Sequence, residues 1–129
     1  MENRQHIAEQ DIAALVRRYF GAYTAKRRNV LEDLLHEDFG FRCPLGNRID
    51  RATYFVECWP GSAKIRSVRF ESVLTDGDEA AVRYVATLNS GAEYRCAEYF
   101  RGEGGRIVQV DVYFGNHPDY LFSIFEAAA

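Results

Sequence analysis

The feature that most limits what this chain can fold into is a change of hydrophobic period along it. Ile12, Leu15, Val16, Tyr19, Phe20 and Tyr23 follow the i, i+3, i+4, i+7 spacing of an amphipathic helix over roughly Ile7 to Ala25. Arg17 and Arg18 fall on the opposite face. Beyond Ile65 the period becomes two. Val68, Phe70, Ser72 and Leu74 alternate with Arg69, Glu71 and Val73. Val82, Tyr84, Ala86 and Leu88 alternate with Ala81, Arg83, Val85 and Thr87, and further strands are expected over Glu93 to Arg101 and Arg106 to Phe114. Asp76-Gly77-Asp78, Asn89-Ser90-Gly91 and Gly102-Glu103-Gly104-Gly105 punctuate them as turns. Four long strands joined this tightly can only run as an antiparallel meander.

Between the two regimes lie shorter elements. Asn29, with Glu32 three residues on, predicts a capped second helix carrying Val30, Leu31, Leu34 and Leu35. Phe39, Phe41 and Cys43 alternate as a short strand before Pro44 and Gly46. Asp50 is a suitable N-cap for a third helix that runs to about Trp59 and stops at Pro60-Gly61. The expected class is α+β. Three helices pack on a strongly curved, four-to-six-stranded, mostly antiparallel sheet that forms a cone with an internal pocket.

The length of 129 residues fits one domain, with a core over about 7–115 and an apolar tail over 116–129. A net charge of −3 and the lack of a basic stripe speak against nucleic acid as a partner. Three cysteines without a Cys-x-x-Cys pair do not make a disulfide framework. His6, His36 and His117 lie too far apart for a zinc pattern, and no nucleotide or phosphate loop is present, so no metal or cofactor is expected. No apolar run approaches the length of a membrane span and the first residues are polar. The expected location is the cytoplasm.

The element order and several strings resemble the SnoaL-like branch of the nuclear transport factor 2-like superfamily. They are Val16 to Phe20, Leu34 to Phe39, Ile49 to Phe55, and Gly105 to Val108 running on to Tyr113-Phe114-Gly115. The resemblance covers about Ile7 to Gly115 and implies the cone and its pocket. It does not fix a reaction, because this fold hosts isomerases, epoxide hydrolases, dehydratases, cyclases and binding proteins. The ketosteroid isomerases within it hold a carbonyl oxygen with a tyrosine and a protonated carboxyl group while an aspartate moves a proton. Arg18-Tyr19 matches the tyrosine, and Glu98, followed by Tyr99-Phe100-Arg101, matches the carboxyl. Cys43, followed by Pro44-Leu45-Gly46, stands where the base belongs. A thiol is mostly protonated at neutral pH and shuttles carbon-bound protons poorly, so ketosteroid isomerisation itself is not implied. Cys43 reads first as a small buried apolar residue, since free cysteine is among the most buried types.

Tyr19, Cys43 and Glu98 are thus expected to point into one cavity walled by Phe55, Trp59, Tyr84, Phe100 and Phe114. Burial should raise the pKa of Glu98. Asp111 should face outward, between inward Val110 and Val112. The expected partner is a small hydrophobic molecule, handled by acid–base chemistry (isomerase, dehydratase or cyclase) or merely bound; an assembly module is the third reading. Val73, Val85, Ala97, Tyr99 and Tyr113 on the outer face of the sheet predict a homodimer.

Overall fold

A computed structural model of the chain describes the backbone of residues 2–44 and 46–113, and side chains within that range from Ile12 onward. Phe114 and the tail lie outside the described residues.

The first helix, α1 (Glu2–Ala25), buries the predicted stripe, with Ile12, Leu15, Val16, Tyr19 and Phe20 all inside and Arg17 and Arg18 exposed. It ends at Lys26, whose φ of 59° is left-handed. That conformation is unfavourable for a residue with a Cβ. Lys26 Nζ donates to the carbonyls of Ser62 and Ile65, which ties the helix end to a distant segment. The turn leads directly into α2 (Arg28–Leu34). Asn29 therefore does not cap α2: Arg27 occupies the N-cap position without a side-chain bond, and Glu32 pairs with Arg28 at 3.2 Å.

The strand β1 (Leu35–Arg42) starts earlier than its pattern suggests and is irregular between Leu35 and Gly40. A two-residue strand, β2 (Ile49–Asp50), pairs with Gly40 and Phe41. Asp50 then caps α3 (Arg51–Glu57), accepting from the Thr53 N–H at 2.9 Å. Pro60-Gly61 does not stop the chain. Pro60 falls in the first turn of a 3-10 helix (Trp59–Lys64), where its missing N–H is no loss.

The meander is β3 (Ile65–Asp76), β4 (Glu79–Leu88), β5 (Glu93–Glu103) and β6 (Arg106–Tyr113). Gly104 and Gly105, at φ 61° and 79°, form the two-residue turn between β5 and β6, whose twist suits adjoining strands. The six strands run in the order β2-β1-β6-β5-β4-β3, and only β1 with β6 is parallel. Three helices thus pack on one mostly antiparallel curved sheet. Among the described residues no helix is long and apolar enough to cross a membrane.

One register feature corrects the simple alternation. Phe70 pairs with Tyr84, but Ser72 pairs with Arg83, which leaves Glu71 as the extra residue of a bulge. A one-residue shift reverses every side chain that follows. Val73 therefore turns inward against the core, opposite fully buried Val82, and Leu74 turns out, 67% exposed. The outer face consequently differs from its predicted make-up. Val73 has left it, Val85 is buried within the single chain, and Leu74 and Tyr113 are its exposed large apolar residues. Polar pairs cross the rest, including Tyr99 with Glu79 at 2.7 Å and Arg83 with Ser72 at 3.1 Å.

The bulge makes neighbouring substitutions unequal. Val73→Asp places a charge against the core and should cost at least about 1 kcal/mol, while Leu74→Asp should stay within about 0.5 kcal/mol of the parent. Urea unfolding of the two variants measures both, and equal losses would contradict the register.

Candidate functional site

Two sets of polar groups meet where α1 crosses the sheet. Tyr19 and Tyr23 are one helical turn apart on α1, with ring centroids at 5.1 Å. On α3, Tyr54 has no exposed surface, and its hydroxyl lies 2.9 Å from that of Tyr19 and also bonds that of Tyr23. Three hydroxyls carry three protons, and the two bonds among them use two. One proton remains for another acceptor. Burial raises the pKa of all three tyrosines above the ordinary value, so the chain of hydroxyls stays protonated.

The second set lies on the sheet. Glu98 stands opposite Val82 and Val112, in a stretch where every second residue of β5 faces the helices. On the adjacent strand, Tyr84 Oη donates to Glu98 Oε2. Oε1 is buried and has no hydrogen-bond partner among the described residues. Burial pushes the Glu98 carboxyl up to about 7, against the smaller downward pull of the Tyr84 bond. Below that pH the group is a neutral acid, and Tyr84 leaves its proton free to donate.

Between the two sets lies a cavity of about 60 Å³. From α1 its wall takes Tyr19, Phe20 and Tyr23, and from β1 it takes Phe41. Cys58, Gly61, Ile65 and Val68 close one side, and Tyr84, Tyr94, Cys96, Glu98 and Val112 supply the sheet floor. Burial pushes the Cys58 and Cys96 thiols up to about 12, so both are inert thiols rather than nucleophiles. Among the described residues, no three His, Cys, Asp or Glu side chains gather into a metal site.

Of the residues expected here, Tyr19, Tyr84 and Glu98 share the cavity wall, whereas Cys43, Phe55, Trp59 and Phe100 do not. Cys43 is partly buried against the core but off the wall, because β1 ends at Arg42 and Cys43 begins the turn that accepts from the Gly46 N–H. Phe55 packs edge-on against Tyr54 but lies off the cavity wall, and the guanidinium groups of Arg28 and Arg51 lie over its ring at 4.7 and 5.2 Å. Trp59 sits edge-on to Tyr23 at 5.2 Å and supports the wall from behind. Phe100 faces inward, yet Tyr19 and Phe20 cover it at 5.1 and 5.8 Å and seal it off. Phe114 lies outside the described residues. Asp111 faces outward and accepts from Gln109 at 2.7 Å. Tyr23 and Tyr54 join the site beyond the residues expected from the sequence. The spacing of Tyr19 and Tyr23 was a usable signal for the first, whereas nothing local marks the second.

Helices laid over a curved sheet, with the first strand parallel to the last, define the nuclear transport factor 2-like class of α+β proteins. Residues 16–110 match the SnoaL-like domain model, and the chain belongs to that family. No curated protein sequence matches the chain. Among solved structures it is similar to an NTF2-like protein from Cytophaga hutchinsonii (20% identity, 86% and 94% of the two chains, TM-score 0.68). It is also similar to a ketosteroid isomerase candidate from Kribbella flavida (22%, 85% and 83%, TM-score 0.69). A third is an LEH-like epoxide hydrolase from M. tuberculosis (16%, 93% and 92%, TM-score 0.72). At these identities the likeness is one of fold.

The state of Glu98 sets a pH dependence of stability. The folded chain holds the proton up to about pH 7, while the unfolded chain releases it near 4.5. The native state therefore binds more protons between these values, and stability falls as pH rises through that window. The loss should reach about 3 kcal/mol and level off above pH 7. Urea unfolding at pH 5 and pH 8 measures it. Glu98→Gln should flatten this part of the profile, and an unchanged profile in that variant would assign the effect to another group.

Proposed function

We propose that this cavity binds a hydrophobic molecule through a carbonyl or hydroxyl oxygen, and that Glu98 gives that oxygen a proton. The observation that carries the reading is the convergence of the Tyr19 and Tyr23 hydroxyls and the unpartnered Oε1 of Glu98 on one apolar cavity, where each side can offer a proton. A single oxygen has two lone pairs and accepts both. A hydroxyl donor in an apolar site stabilises charge as it builds on the oxygen, and the acid then completes the transfer. Isomerisation, dehydration and cyclisation each need such a step. The names of the fold relatives, an epoxide hydrolase and a ketosteroid isomerase candidate, are compatible with chemistry at an oxygen.

A second reading is binding without turnover. It is favoured by the position of Cys43 off the wall and by the raised thiols of Cys58 and Cys96, which leave Glu98 as the proton carrier among the described wall residues. One carrier serves an isomerisation only if it takes a proton at one carbon and returns it at another.

One variant separates the readings. Glu98→Gln keeps a donor and an acceptor for Tyr84 but cannot transfer a proton. Catalysis predicts unchanged binding with turnover reduced about 100-fold or more. In the parent, kcat/KM should fall above about pH 7 as the acid ionises. Tyr19→Phe should weaken binding about five- to tenfold by taking one hydroxyl off the cavity wall. A parent without turnover on any carbonyl or epoxide tested, yet with pH-dependent binding, would leave the binding reading.

A further inference from the structure

The size and charge of the wall narrow the ligand. Resting on the reading that this cavity is the ligand site, we propose that the ligand is compact and uncharged. It is smaller than a six-carbon ring and carries one acceptor oxygen. Fused-ring compounds and carboxylates are refused.

The size limit comes from the cavity volume of about 60 Å³. A dry protein cavity of roughly 150 Å³ is what holds a six-carbon ring. The wall is not free to widen. Phe20 is braced edge-on by Phe70 at 5.3 Å and lies against Tyr84 at 4.9 Å. Tyr19 rests on Phe100 and is bonded to Tyr54. The side carrying Gly61 and Ile65 is held by Lys26 Nζ, which donates to Ser62 and Ile65. A larger guest would have to break several of these at once, because packed interiors yield little.

The charge limit comes from the chemistry of the wall. None of the described lining residues is Lys, Arg or His. The ammonium of Lys26 is committed to two carbonyls. An anion would enter beside a carboxyl group and two protonated thiols, with hydroxyls as its donors. Burying an unpaired charge there costs far more than a hydroxyl bond returns. A cation would require Glu98 to ionise within the apolar wall. A neutral ketone or amide needs neither, since its oxygen takes the two protons already on offer.

The test uses the full chain at pH 6, followed by the methyl NMR signals of Ile65, Val68 and Val112, which line the cavity. The probes are acetone and acetamide, the equally small acetate and isopropylammonium ions, and a two-ring ketone. Acetone and acetamide should shift all three residues saturably. The two ions should bind at least about tenfold more weakly, and the two-ring ketone should leave the signals in place. Val112→Ala enlarges the cavity, and the double variant Val68→Ala/Val112→Ala brings it to roughly the 150 Å³ that holds a six-carbon ring, so the double variant should admit cyclohexanone, which the parent excludes. A two-ring ketone that saturates the parent at lower concentration than acetone overturns the size limit. Acetate or isopropylammonium binding as well as acetone overturns the charge limit. If no probe moves these methyls in the parent or in either enlarged variant, the cavity is not the ligand site, and the reading beneath the proposal fails with it.

Discussion

A carboxyl group inside an apolar sheet is the constraint from which the rest of the site follows. Glu98 sits among Val82, Val112 and the Tyr84 ring, where an ionised oxygen has little to replace its lost water. Below about pH 7 its stable condition there is the neutral acid with one oxygen bonded. That condition fixes the role of Tyr84, whose own proton is used on Oε2, and it leaves the acid proton unused. The fold tolerates the group because the sheet curves beneath α1 and leaves a cavity over it rather than a second packed layer.

The opposing wall is built on the same principle by different means. Tyr19, Tyr23 and Tyr54 come from two helices, and each hydroxyl solves its burial through another. Tyr54 is the keystone, buried completely and touched by Phe39, Phe41 and Phe55. The Asp50 cap sets the start of α3 and so delivers Tyr54 one turn later. The strained turn at Lys26 acts at the other end, holding the 3-10 helix against α1 while Cys58 and Gly61 close the cavity side. A backbone cost at one residue thus shapes a wall formed by others.

What was legible in the sequence is what repeats locally. The helical stripe placed Tyr19 on the inner face, and the alternation Cys96, Glu98, Phe100 placed the carboxyl inside. The chain order alone suggested the class of fold. Three kinds of event escaped. The Glu71 bulge is a backbone insertion without a glycine or proline to announce it, and it reversed Val73 and Leu74. Cys43 was carried inward by extending a period past the residue where the strand ends. The tyrosine triad joins side chains 31 and 35 positions apart, a pairing that only the tertiary fold makes. Asn29 failed as a cap for a related reason, since the geometry of the preceding turn already fixed the start of α2.

A purely structural position on β5 would be served by a leucine or valine, as the neighbouring inward positions are by Val82 and Val112. Replacing a buried polar pair by well-packed apolar side chains is often neutral or stabilising. Keeping Glu98 makes the chain less stable as the pH rises toward neutrality, and keeping Tyr84 beside it adds a second buried hydroxyl. On β5 the carboxyl stands at an inward position of the cavity wall whose paired neighbours, Val82 and Val112, are apolar. The proposed role, a proton donor aimed at a guest, would account for that cost, whereas packing alone would not require it.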